Sequence, residues 1–374
     1  MAKYANDVAM KMKFVCVRDR VGALVLLIAA LVATALGNPP ERGEYRFLAT
    51  NDANQLEREL NEAAREGFRL RFISDTFADS KIGVLMLRSG PAPATKSDTT
   101  PPFEYKVLGA RKVSTLRKEL DEVAAQGYEL RGLTANASLL MFTVSETIAV
   151  LERPAGQTKP KYEYRFLTAN REATMQQALD AAVSEGFHPV ALTVNRDNNA
   201  TSILFGIPVL RFDMILQRSV ENPAAGMATR EYRFLSTMKP GTLEKEINQL
   251  AQQGWRFQQA GLAIVALLSR DLKSKPEQRY EYQLLSARRT QTLQRELLQA
   301  GQQGWSYRGA SGLIAVMERE RAGQNLTHDY ALLAAMRIKT ARKELDEAVN
   351  AGYEVLDLAS IGEYVIVLDR AGVK

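Results

Sequence analysis

Cysteine is almost missing from this chain. Cys16 is the only one among 374 residues, and it precedes the one strongly apolar segment near the N-terminus. The rest of the protein therefore has no disulfides, no thiolate metal site and no cysteine nucleophile. Cys16 does not fit lipid attachment, because that signal places the cysteine after the apolar run and here the order is reversed. Histidine is nearly as scarce. His188 and His328 are the only two. They lie far apart, with no acidic residue at a recurrent spacing, so neither a metal cluster nor a catalytic triad is indicated. A Gly-rich phosphate loop is also lacking, since Gly301-Gln302-Gln303-Gly304 is not followed by Lys-Ser/Thr. Charge of one sign does not dominate. The formal net charge is +6, and residues 1–37 supply half of it with five basic against two acidic residues. What remains is mild and interspersed, whereas nucleic-acid binding calls for a clustered basic face, so no nucleic acid is expected as a partner.

What is present is the composition of ordinary globular protein, 46% apolar and 25% charged, in a chain too long for one ordinary domain. The N-terminus reads as an export signal. Lys11, Lys13, Arg18 and Arg20 flank an apolar run from Val21 to Leu36, and Ala35-Leu36-Gly37 offers small residues for cleavage before Asn38. Residues before Met10 add nothing to that signal. The rival reading is an uncleaved anchor through residues 21–37 in the inner membrane, the membrane then being contacted only there. Both readings keep the basic flank in the cytoplasm and the body outside it, periplasmic or secreted.

One pattern recurs six times. It opens on an aromatic strand at Tyr45, Tyr105, Tyr164, Tyr232, Tyr282 and Tyr330, and the third residue after each tyrosine is leucine. Twenty-two residues after each tyrosine stands a glycine, at Gly67, Gly127, Gly186, Gly254, Gly304 and Gly352, followed each time by an aromatic. Between them runs an amphipathic helix, as the stripe Leu243, Ile247, Leu250 and Ala251 shows, with Glu244, Lys245, Asn248 and Gln249 on the other face. The glycine ends the helix in the left-handed conformation, and the aromatic takes the apolar position that such a cap demands. A strand, a turn and a final strand follow, the last closing on Arg88, Arg153, Arg218, Arg270, Arg319 or Arg370. Glu59, Glu119, Glu246, Glu296 and Glu344, fourteen residues after their tyrosines, are the partner candidates for these arginines.

The fold class is therefore α+β: six tandem β-α-β-β modules, each a small three-stranded sheet with one helix, behind an N-terminal hydrophobic segment. The segments are 1–37 (signal peptide or anchor), then modules 43–90, 103–154, 161–219, 230–272, 280–321 and 328–372. The helical crossover predicts parallel first and second strands, and the last two strands a hairpin. Adjacent Phe47 and Leu48 point to opposite faces, and one helix covers only one face, so modules should bury the other against each other. Shorter links predict a tighter group of modules 4–6. Modules 1–3 carry longer hairpins, with inserted loops at Asp75–Lys81, Thr134–Thr147 and Asn195–Pro208. In the longest, Ile203-Leu204-Phe205 should pack on a neighbouring module, leaving a polar edge for a partner.

The Tyr-Glu-Tyr-x-x-Leu start, amphipathic helix, Gly-Trp step and hairpin ending near arginine resemble the small bacterial domain of unknown function 4177, repeated over nearly all the chain after residue 42. Module 6, with His328-Asp329-Tyr330-Ala331 and Ala341, departs most from the pattern. The resemblance implies the fold and no activity, cofactor or metal. The twelve tyrosines and glycines are structural repeat positions, and no catalytic, cofactor-binding or metal-binding residue is assigned. The expectation is a non-catalytic binding or scaffolding protein with a protein or envelope component as partner. The alternative is an envelope enzyme whose site forms between modules from dispersed polar residues.

Overall fold

The computed structural model describes residues 43–74, 81–90, 102–136, 146–197, 209–223, 229–237, 239–261, 265–273, 279–287, 289–311, 314–323, 325–360 and 363–370. The export segment and the loop tip at 198–208 lie outside them.

From Glu44 onward the described residues belong to one compact unit. Module 1 consists of β1 (Glu44–Thr50), α1 (Ala53–Arg65), β2 (Arg69–Ile73) and β3 (Ile82–Arg88). Module 2 follows with β4 (Phe103–Ala110), α2 (Val113–Ala124), β5 (Glu129–Asn136) and β6 (Glu146–Pro154), and module 3 with β7 (Tyr162–Ala169), α3 (Glu172–Ser184), β8 (His188–Asp197) and β9 (Val209–Ser219). Module 4 holds β10 (Arg230–Ser236), α4 (Pro240–Ala251), β11 (Arg256–Gly261) and β12 (Val265–Asp271). Modules 5 and 6 repeat the order with β13 (Tyr280–Ser286), α5 (Thr290–Gln302), β14 (Ser306–Ser311), β15 (Ile314–Glu320), then β16 (Tyr330–Ala335), α6 (Ile338–Asn350), β17 (Glu354–Ser360) and β18 (Tyr364–Asp369).

Each module forms its own three-stranded sheet in the order first, third, second, and both pairings are antiparallel. The first and second strands run parallel, as the crossover requires, but the third lies between them. The hairpin insertions of modules 2 and 3 are only partly loops. Thr134–Asn136 with Glu146–Thr147, and Asn195–Asp197 with Val209, continue the pairing as strand. A β-bulge interrupts every second strand four residues after the glycine, as between Leu70 and Phe72.

Helix ends follow the sequence closely. The six repeat glycines all have positive φ, between 79° and 94°. Gly254 N–H donates to the Ala251 carbonyl and Trp255 N–H to that of Leu250, the paired bonds of a Schellman cap. The stripe residues Leu56, Leu60, Leu243 and Ile247 are buried, each such leucine or isoleucine contributing about 1.5–3 kcal/mol of apolar burial.

The other sheet face is buried by the preceding module. Leu48 packs in a core with its own helix and with Tyr105, Val107, Ile148 and Val150 of module 2. The same arrangement repeats at each junction down the chain. It also closes: Phe47 and Leu85 of module 1 lie in the core of module 6 with Leu345, Val355 and Tyr364. Helix α6 packs on β1, and β17 touches β2, as every other helix and second strand do with the next module. The sheets and helices thus form a closed six-module ring. Linker lengths suggested two groups, but the apolar faces match around the whole circuit.

Candidate functional site between modules

The repeat residues are used first for assembly. Each final arginine lies 4.3–4.8 Å over the ring of the aromatic after its glycine. It also donates to the carbonyl at the helix C-terminus and to an acid beside the repeat tyrosine. In module 4 these are Gln253 O at 3.3 Å and Glu231 at 2.7 Å, and in module 6 Ala351 O and Asp329. The acids are Glu44, Glu104, Glu163, Glu231, Glu281 and Asp329. The glutamates expected from the helix are not the partners, because the helix presents that face elsewhere; Glu59 accepts from Gln55.

The tyrosine staples modules together. Backbone N–H groups of Leu70, Leu130, Phe257, Tyr307 and Val355 donate to the hydroxyls of Tyr105, Tyr164, Tyr282, Tyr330 and Tyr45 in the following module. At the junction of modules 3 and 4 the equivalent residue is Pro189, which has no N–H to give to Tyr232. Burial raises all six phenols, Tyr164 to about 12, so they stay neutral.

Helix residues read as a solvent face grip the free edge of the next first strand. Asn248 brackets the backbone N–H and C=O of Tyr282 at 2.9 and 2.8 Å, and Glu244 accepts from Leu284 N–H at 2.8 Å. Asn61, Gln176 and Gln294 do the same for Tyr105, for Tyr232 and Phe234, and for Tyr330 and Leu332. Arg342 closes the ring on Phe47 O. An open strand edge is covered without another strand.

Beside each staple lies a polar cluster, and here the copies differ. It is built from the second residue after the glycine in one module, and in the next from the residue two before the tyrosine, the residue opposite the tyrosine on the third strand, and the bulge residue. Between modules 1 and 2 these are Arg69, Phe103, Glu152 and Arg131. Glu152 is fully buried and accepts from Arg69 at 2.7 Å, Tyr105 at 2.7 Å and Arg131 at 3.1 Å. The junction of modules 4 and 5 repeats the arrangement with Glu318, Arg256, Tyr282 and Arg308. Burial alone would raise the Glu318 carboxyl, but the Arg256 and Tyr282 bonds and the Arg308 charge outweigh it and hold it below the usual range.

Two further junctions hold the histidines. His188 lies 3.2 Å from Gln217 Nε2, and burial together with the nearby Arg230 charge lowers its pKa. His328 stands between Ser306 Oγ, 3.3 Å from Nε2, and Asp369 Oδ2, 2.7 Å from Nδ1. With Nδ1–H donated to Asp369, Nε2 is left to accept from the Ser306 hydroxyl. The spacing argument against a triad missed this constellation, because its members come from β14, the strand entry of module 6 and β18. A signal did exist: Glu152, Glu318 and Asp369 each precede the recurrent arginine on an otherwise apolar strand, and alternation turns them inward with the core.

Nearby, Arg69, Leu70, Arg71, Leu87, Ser89 and Arg131 line a cleft of about 420 Å³. Among the described residues no group of three or more His, Cys, Asp or Glu is placed to hold a metal ion. No described helix is long and apolar enough to cross a membrane. No protein-family model matches the chain, and no curated protein matches its sequence.

Proposed function

We propose that this protein is a non-catalytic binding platform acting outside the cytoplasm, a closed ring that presents its module hairpins to a protein or envelope component. The observation that carries the reading is the use of the recurrent polar residues. Arginine clamps fasten each module internally, tyrosine staples and helix amides join neighbouring modules, and a rigid ring of near-equivalent units offers an extended, preorganised surface. The resemblance to the domain of unknown function 4177 is in keeping with this, since it implies a fold and no chemistry. The experiment places a photoreactive residue in the module 3 hairpin, within 198–208, and at exposed Lys245 on α4 in the full chain, and crosslinks intact cells. A discrete partner captured from the hairpin and not from Lys245, in the envelope fraction, supports the platform. Retention in the cytoplasm, or equal crosslinking from both sites, overturns it.

Ser306, His328 and Asp369 favour a second reading, an enzyme with its site between modules 5 and 6. In that reaction Ser306 Oγ adds to an ester carbonyl and its proton passes to His328 Nε2 and on to the leaving alkoxide; water then cleaves the acyl-serine by the same route. Such chemistry needs free donors for the oxyanion. The amides flanking Ser306 are engaged: Trp305 N–H donates to Ala300 O and Tyr307 N–H to the Tyr330 hydroxyl. That commitment is why the binding reading comes first. Labelling by a fluorophosphonate that is lost in Ser306→Ala would reverse the order.

A further inference from the structure

The cleft beside the bulge of module 1 and its counterpart across the ring share a buried-carboxylate cluster but differ in their lining, where Leu70, Arg71, Leu87 and Ser89 stand in place of Phe257, Gln258, Ser269 and Asp271. At both Glu152 and Glu318 a buried carboxylate holds two arginines and a tyrosine. At the bulge of the module that opens the junction, module 4 has Gln258 whereas module 1 has Arg71. The Arg71 guanidinium is exposed, lies 5.3 Å from the Phe72 ring, and has no hydrogen bond or ion pair among the described residues. The third-strand position that carries Glu152, Glu318 and Asp369 in other modules is Leu87 here, so no acid from that position neutralises Arg71.

Arg69 bonds Glu152 through Nε and Nη2, and Arg131 reaches Glu152 and Glu129 through the same two atoms, 2.7–3.5 Å away. Both Nη1 groups remain without a partner among the described residues. Glu129 is itself shared with Lys161. Three guanidiniums therefore line one cleft, the Glu152 carboxylate that Arg69 and Arg131 bind is already saturated by three donors, and Leu70 and Leu87 provide an apolar wall. A planar fork of this kind binds carboxylate or phosphate through paired charge-assisted hydrogen bonds, and the volume of about 420 Å³ is that of a small-molecule site.

We propose that this cleft binds a small carboxylate- or phosphate-bearing ligand, with Arg71 as the deciding residue and Arg69 and Arg131 as flanking donors. The site goes beyond the platform reading and does not depend on it, since hairpin crosslinking can fail while the cleft still binds. Calorimetry on the full chain at physiological salt, in an amine buffer, tests it with succinate and with glycerol phosphate as separate probes. Arg71→Gln gives module 1 the residue that module 4 already accommodates, so folding is retained and the melting curve without ligand checks this. The expected result is saturable binding of at least one probe, weakened by about tenfold or more in Arg71→Gln, a loss of about 1.4 kcal/mol. The probe that binds tells carboxylate from phosphate. No saturable binding of either probe, or equal binding by Arg71→Gln and the parent chain, overturns the proposal.

Discussion

At the scale of single residues, a position is best understood by asking which module it serves. Tyr282 belongs to module 5 but accepts from Phe257 N–H of module 4 and donates to the buried Glu318. Tyr282→Phe leaves both without that partner and should cost about 1–3 kcal/mol. Tyr232→Phe should cost about 1 kcal/mol or less by the same reasoning, because Pro189 has no N–H to lose. Urea unfolding of the two variants checks this, and equal losses would remove the staple from the account. His188 gives a pH test. Burial and the Arg230 charge lower its folded pKa below the unfolded value of about 6.5. Above about pH 6.5 neither state holds the proton, and the stability of the neutral form is complete. As pH falls from there towards the depressed folded pKa, the unfolded chain takes up the proton first and stability declines; below the folded pKa the loss is finished. His188→Gln should flatten that decline in urea midpoints taken across weakly acidic pH, while an unchanged slope would assign it to other groups.

At the scale of elements, the helix cap is the most exactingly specified feature. Gly254 has φ 83°, where a β-branched side chain is strained, so Gly254→Val should lower stability by about 1–3 kcal/mol. Gln253→Ala, on the adjacent exposed residue, should cost much less. Matching melting curves for the two would refute the cap. This is also the level at which the sequence was most legible. The glycine cap, the helical stripe and the closing arginine all report contacts made within one module, where chain separation tracks space. What stayed hidden involves two modules. Glu244 and Asn248 look like solvent residues on a helical wheel, and only the next module's strand edge shows what they bind. Ser306, His328 and Asp369 meet because β14 and β18 belong to adjoining sheets, and no spacing within one copy encodes that. Strand order was similarly open, since a crossover followed by a hairpin fits either an inserted or an appended third strand.

At the scale of the whole molecule, closure decides behaviour. Removing module 6, residues 328–374, would uncover Phe47 and Leu85 on one side and the apolar face met by Tyr330 on the other. The truncated chain should self-associate in light scattering, where the full chain does not. Joining Arg370 to Glu44 through a linker as long as the other links, and cutting between residues 91 and 101, should yield a ring of unchanged stability. A permutant that fails to fold would mean that module 1 and module 6 are not true neighbours. A linear stack of repeats grows or shrinks by one unit at little cost, provided its two end units are made soluble. This chain has no end unit to modify. Six modules close the circuit, so copy number is fixed by the turn from one module to the next and not by length. Gain or loss of a single copy would break every such chain, and new lengths could arise only by changing the wedge angle of all modules together, or by assembling one circle from shorter chains, such as two of three modules each.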